Sequence, residues 1–274
     1  WDYNNNRLFW VDINSELLNV YYPETDTNRV IKLGQKVGTV VPVDDNQVLV
    51  ALEDGIYSLD LQTEALTHQV SPEDTSLNNR FNDGKCDPAG RFWVGTMSGN
   101  KRTGGLYRVD SDFSSHKMID SVRISNGIAW SLDNTKMYYI DTPTRQVTSF
   151  DYNHETGEIS NPKVAIEIPD SLGHPDGSTL DSEGMLWIAM WGGSAVTRWD
   201  PETGEYLGRI KVPAKNITSV AFGGNDLQTM YITSSSGGMK DGDWEEFPHA
   251  GGLFSIKSDI KGIPCSYFGT GMPE

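Results

Sequence analysis

Three segments of this chain gather polar side chains around the same short pattern: "NNRFNDGK" (78–85), "ISNGIAWS" (124–131) and "HPDGSTLD" (174–181). Each holds an Asn-Gly or Asp-Gly pair beside alternating small and apolar residues. Asn126 and Asp176 offer an amide carbonyl and a carboxylate, both hard oxygen donors, with no thiolate and at most one imidazole (His174) nearby. Such donors suit Ca²⁺, Mg²⁺ or Mn²⁺ better than a structural zinc. Arg80 and Asn82 stand beside the first pair and strengthen the case for a joint site. The same dipeptides are also favoured turn residues, and a turn requires no ligand. His174 fits equally a pocket rim or an ordinary turn.

Residues so far apart in sequence need a scaffold that brings them together. Six short runs rich in aromatic and β-branched residues recur: "NRLFWVDI" (6–13), "NQVLVALEDG" (46–55), "GRFWVGTM" (90–97), "TKMYYIDT" (135–142), "GMLWIAMW" (184–191) and "QTMYITSS" (228–235). Their spacing of roughly 40 to 48 residues is that of propeller blades. Polar turns such as "DPAG" and "DSEG" precede them, and further short strands follow. The pattern predicts an all-β chain, a six-bladed β-propeller of four-stranded antiparallel blades, with residues 1–274 as a single domain. A sandwich or two smaller β domains is the alternative, disfavoured because no Pro/Ser/Gly-rich linker divides the chain. The six runs are expected to be the innermost strands, with the polar segments as loops at their entrances, converging at one end of a central channel. Trp10, Trp93, Tyr139, Trp187 and Tyr231 read as blade-packing aromatics.

Composition excludes several functions. With 22 Lys plus Arg against 38 Asp plus Glu, the net charge is −16, which repels nucleic acid and anionic membranes. Cys86 and Cys265 lie outside any C-x-x-C cluster and are expected as two free buried thiols. No apolar run has the length of a membrane span, and a soluble protein of a reducing, cytoplasmic compartment is expected. No G-x-S-x-G elbow supports a serine esterase, and "SGNK" (98–101) lacks the companions of an S-x-x-K site. "DGDWEE" (241–246) lacks the spacing of an EF-hand and reads as a solvated loop. "NIT" (216–218) is a glycosylation sequon only in a secreted protein.

The segments "NNRFNDGKCDPAGRFWVGTM", "ISNGIAWSLDNTKMYYIDT", "FDYNHETGEISN", "PDGSTLDSEGMLWIAMWGG" and "ITSVAFGGNDLQTMYIT" closely resemble the regucalcin/gluconolactonase family, which also includes the senescence marker protein and the luciferin-regenerating enzyme. The resemblance runs in order over essentially the whole chain. It implies a six-bladed propeller with one divalent metal, Ca²⁺ ahead of Mn²⁺, Mg²⁺ or Zn²⁺, and hydrolysis of a small-molecule sugar lactone. By motif, Asn126 of "SNG" matches a metal ligand. Asp176 of "PDG" matches a residue that is both metal ligand and general base. Arg80 and Asn82 of "RFNDG" match substrate-binding residues.

Two departures follow from the same comparison. The family's third ligand is a Glu in an "E-x-P-x-W" segment whose Trp corresponds to Trp1, so that Glu falls just before the first residue, and the natural protein is expected to extend further. Members also often carry an acid shortly before a "G-x-LY" strand, where this chain reads "SGNKRTGGLY" (98–107). Lys101 or Arg102 stands there where an acid is expected, which makes Lys101 the expected substrate contact and puts substrate choice in doubt. The alternatives to a lactonase are the same site acting on another small ester or an organophosphate, and a calcium-binding propeller without turnover. The resemblance leaves the oligomeric state open.

Overall fold

The computed structural model describes residues 1–99 and 101–272. Its described residues form six antiparallel sheets, each built from consecutive strands. Sheet 1 comprises Leu8–Asp12, Leu17–Tyr22 and Thr27–Lys32, and sheet 2 comprises Thr39–Pro42, Gln47–Ala51, Ile56–Asp60 and Leu66–Val70. Sheet 3 holds Arg80–Cys86, Phe92–Met97, Gly104–Val109 and Ser115–Val122. Sheet 4 holds Ser125–Trp130, Lys136–Asp141, Gln146–Tyr152 and Ile159–Glu167. Sheet 5 is His174–Leu180, Leu186–Trp191, Ala195–Trp199 and Tyr206–Lys211, and sheet 6 is Asn216–Gly223, Thr229–Ser235 and Leu253–Lys257. The architecture is a six-bladed β-propeller of four-stranded antiparallel sheets, the first and sixth showing three strands among the described residues.

The aromatic runs form strands as expected, but in sheets 2 to 6 each is the second strand of its sheet and not the first. These second strands are buried along nearly their whole length, as in Phe92–Thr96 and Leu186–Met190. That double-sided burial explains why they read as continuous apolar runs without alternation. The polar segments expected as loops are themselves the first strands. Asn, Asp and Gly are poor strand formers, and pairing along one side to a strongly apolar neighbour overrides that local preference.

The chain forms two compact units. One contains residues 1–125, 152–159 and those from Pro264 on, and the other contains 126–151 and 160–263. In the first, apolar clusters join sheet 1 to sheet 2 around Leu18, Val48 and Leu59, and sheet 2 to sheet 3 around Leu49, Phe92 and Tyr107. In the second, clusters around Ile140, Ile188 and Trp199 and around Trp187, Val220 and Met230 do the same for sheets 4 to 6.

A repeated polar staple reinforces this packing. Asp87 and Asp181 are fully buried, each in a D-x-x-G-x-x-W stretch. Asp87 accepts from the amides of Ala89 and Arg91, and from Trp93 Nε1 at 3.0 Å and Tyr152 OH at 2.7 Å, while pairing with Arg91. Asp181 accepts from the amides of Glu183 and Met185 and from Trp187 Nε1 at 2.9 Å, while pairing with Arg198 at 2.7 Å. Both carboxylates are thereby satisfied, which buried charges require.

The stretch "DGDWEE", expected as a solvated loop, is a short helix, Asp241–Glu246. Asp243 accepts from the Lys240 amide at 2.9 Å and pairs with Lys215 at 2.7 Å, which fixes the turn. Cys86 and Cys265 are both free thiols, but only Cys86 is fully buried. No helix among the described residues is long and apolar enough to cross a membrane.

Candidate functional site

In the first unit, Arg80 and Asn82 are brought together on the first strand of sheet 3. Asn82 Nδ2 donates to the Ser125 carbonyl at 2.8 Å, and its Oδ1 accepts from Arg80 Nη1 at 2.9 Å. A carbonyl can only accept, so the amide orientation follows from chemistry: the NH₂ faces Ser125 and the oxygen faces the guanidinium. Arg80 also donates to the Phe81 carbonyl at 2.9 Å.

The strand carries a β-bulge at this point. Phe81 pairs with Thr96, yet Gly84 pairs with Val94, so Asn82 and Asp83 together oppose one residue. Sheet 5 repeats the device: Pro175 pairs with Met190 and Ser178 with Ile188, so Asp176 and Gly177 oppose one residue. Bulges re-aim side chains and are frequent beside functional sites. Asn82 and Asp176 therefore occupy the same place in their respective sheets.

Near Arg80 the structure adds groups that sequence reasoning did not single out. Glu73 accepts from Thr96 Oγ1 and Tyr107 OH, each at 3.0 Å, and burial raises its carboxyl above the usual range. Asn79 and Thr103 exchange hydrogen bonds of 3.1 Å. The segment leading to Arg80 is thus tied to its own sheet. Further along the strand, burial raises the carboxyl of Asp83 and lowers the ammonium of Lys85, while each favours the other's charged form. Lys101 is exposed, and Asn100 of "SGNK" lies outside the described residues.

In the second unit, Asn126 and Asp176 lie on the first strands of neighbouring sheets. Asn126 Nδ2 donates to Thr142 Oγ1 at 2.7 Å, and Thr142 Oγ1 donates to the Pro175 carbonyl at 2.8 Å. Close backbone approach is secured by glycine. A Cβ on Gly127 would lie 2.9 Å from the Asp176 carbonyl oxygen, and one on Gly177 would lie 2.8 Å from the Thr218 carbonyl oxygen. His174 is exposed and its Nδ1 meets Arg145 Nη1 at 3.0 Å. Trp93, Trp187, Tyr139 and Tyr231 are buried as packing aromatics, whereas Trp10 is half-buried.

The chemistry of the pair fits a hard cation. Asn126 turns its NH₂ toward Thr142, and the donors that the two side chains carry are an amide oxygen and a carboxylate, both of the hard class such a cation takes. No group of three His, Cys, Asp or Glu side chains converges among the described residues. A centre here would combine amide and carboxylate oxygens with water or substrate, which Ca²⁺ and Mg²⁺ accept and a structural zinc does not.

Comparison with known proteins agrees with this organisation. Residues 1–236 match the SMP-30/gluconolactonase/LRE-like region. The chain is 41% identical over 264 residues to a Bacillus subtilis (strain 168) protein provisionally named sugar lactone lactonase YvrE, covering 96% of this chain and 90% of that one. The solved structure of a luciferin-regenerating enzyme superposes with a TM-score of 0.92 at 31% identity, covering 98% of this chain and 93% of the other. A regucalcin from Agrobacterium tumefaciens strain C58, described as a calcium-binding protein, superposes with a TM-score of 0.92 at 28% identity, covering 100% and 92%.

Proposed function

From the premise that the chain belongs to the SMP-30/gluconolactonase/LRE-like family, we propose that it is a divalent-metal-dependent hydrolase of a sugar lactone, with residues 1–274 acting as one domain. Asn126 and Asp176 hold one cation, Ca²⁺ ahead of Mn²⁺, Mg²⁺ or Zn²⁺. When bound, that ion supplies Lewis acidity at the lactone carbonyl, a contribution of several kcal/mol to the transition state.

The remaining chemistry belongs to the chain. Asp176 takes a proton from the attacking water as its oxygen bonds to the acyl carbon; the ring C–O bond then breaks and Asp176 returns that proton to the leaving ring oxygen, giving the hydroxy acid. General-base help of this kind is worth about a hundred- to ten-thousandfold. Ligation and proton acceptance compete at Asp176, because a bound cation lowers a carboxylate's basicity. Arg80 and Asn82, already paired at 2.9 Å, hydrogen-bond the substrate's oxygens and orient its carbonyl. Lys101, which is exposed, adds a cation at the substrate's edge.

The observation that carries this reading is the relay from Asn126 through Thr142 to Pro175, which ties the amide of one candidate ligand to the backbone immediately before the other, Asp176. The name of the bacterial relative supports the lactone as substrate. The test is acid release from D-glucono-δ-lactone by metal-stripped protein with each cation added back, alongside Asp176→Ala. Turnover should require both the metal and Asp176; turnover that survives the substitution would sink the mechanism.

A second reading, a calcium-binding propeller without turnover, is favoured by the description of the Agrobacterium relative. Calcium binding with no rate above spontaneous hydrolysis, on this lactone or on other small esters, would select it.

A further inference from the structure

Resting on that metal-site reading, we propose that Thr142 and Arg145, in the turn after the second strand of sheet 4, are positioning residues that set both cation ligands. Thr142 has one hydroxyl proton, and the Pro175 carbonyl, which can only accept, takes it at 2.8 Å. The 2.7 Å contact with Asn126 must therefore be one in which Thr142 accepts, so the amide presents Nδ2 to it and turns Oδ1 away. One hydroxyl thus chooses the amide orientation of one ligand and holds the carbonyl immediately before the other.

Arg145 fixes the other approach to Asp176. It is a left-handed residue with φ of 56°, a conformation that persists only when its surroundings enforce it. Its guanidinium donates to the carbonyls of Pro169 at 2.9 Å and Gly173 at 2.6 Å and to His174 Nδ1 at 3.0 Å, and pairs with Asp170 at 2.8 Å. Its own carbonyl accepts from the Ile168 amide at 2.8 Å. The segment entering the strand of Asp176 is therefore gripped at several points by one planar fork, which a lysine's point charge cannot reproduce.

Groups that orient metal ligands typically govern affinity by about ten- to a hundredfold when removed. Calcium affinity is to be measured calorimetrically on wild type, T142V, T142S and R145K, with a melting curve for each. T142V and R145K are expected to lose affinity in that range with melting temperatures close to wild type, and T142S to restore it. T142A replaces T142V in the comparison should the valine fail to fold. A folded T142V or T142A with wild-type affinity overturns the positioning role, as does a loss that only tracks the melting temperature and is not rescued by T142S. Wild type that binds no divalent cation overturns the metal-site reading and this inference together, whereas calcium binding without lactone turnover overturns the lactonase reading alone.

Discussion

Arg80 and Asn82 act as one unit, because the guanidinium and the Ser125 carbonyl hold the two ends of the same amide. Arg80→Ala should leave the amide anchored at Ser125 and the strand intact, yet remove a charged donor from the substrate. Hydrogen bonds to charged groups are worth roughly 1.5–3 kcal/mol, so kcat/KM on the lactone is expected to fall about ten- to a hundredfold with calcium affinity unchanged. Equal loss of both quantities would make Arg80 a structural residue. Asn126, Asp176, Arg80 and Asn82 stand out in the sequence as candidates because their types and dipeptide setting mark them. Thr142 and Arg145 do not, since a Thr and an Arg in "DTPTR" acquire meaning only from the carbonyls they reach, and those lie about thirty residues away.

At the scale of elements, the N/D-G pairs misled as well as guided. Matching Asp83-Gly84 to Asp176-Gly177 by letters puts the two Asp residues in register, yet the bulges make Asn82 the counterpart of Asp176. A slip of one residue exchanges the faces of a strand, and no single sequence announces where a ladder admits an extra residue. The buried staple was half visible: "DPAG" and "DSEG" read as turns and Trp93 and Trp187 as packing, without the bond from indole to carboxylate that joins them. Asp181→Ala should remove the acceptor for Trp187 and Arg198 together. Stranding a buried partner of this kind costs about 3–5 kcal/mol, to be read as a lower midpoint in guanidinium chloride. A shift under 1 kcal/mol, the usual scale of an exposed ion pair, would show that water replaces the carboxylate at no loss.

For the molecule as a whole, the repeat made the number of sheets legible because every sheet carries an aromatic-rich apolar strand preceded by a recognisable polar turn. The first and sixth sheets show three strands among the described residues, and outer strands such as Thr27–Lys32, being largely exposed, carry little pattern in the sequence. The net charge of −16 sets up the last test, because self-repulsion of this size weakens the compact state and any cation relieves part of it by screening. Calcium held by Asn126 and Asp176 would add a binding term that sodium lacks. At a hundredfold excess over Kd that term is about 2.7 kcal/mol, or roughly 5–10 °C in melting temperature for a chain of this size. Calcium chloride should therefore raise the melting temperature well beyond sodium chloride of equal ionic strength, and a chelator should reverse the gain. Asp176→Ala should keep the sodium effect and lose the excess due to calcium. Equal shifts from the two salts in the wild-type protein would reduce calcium to a screening ion and remove the metal centre from the account of this fold.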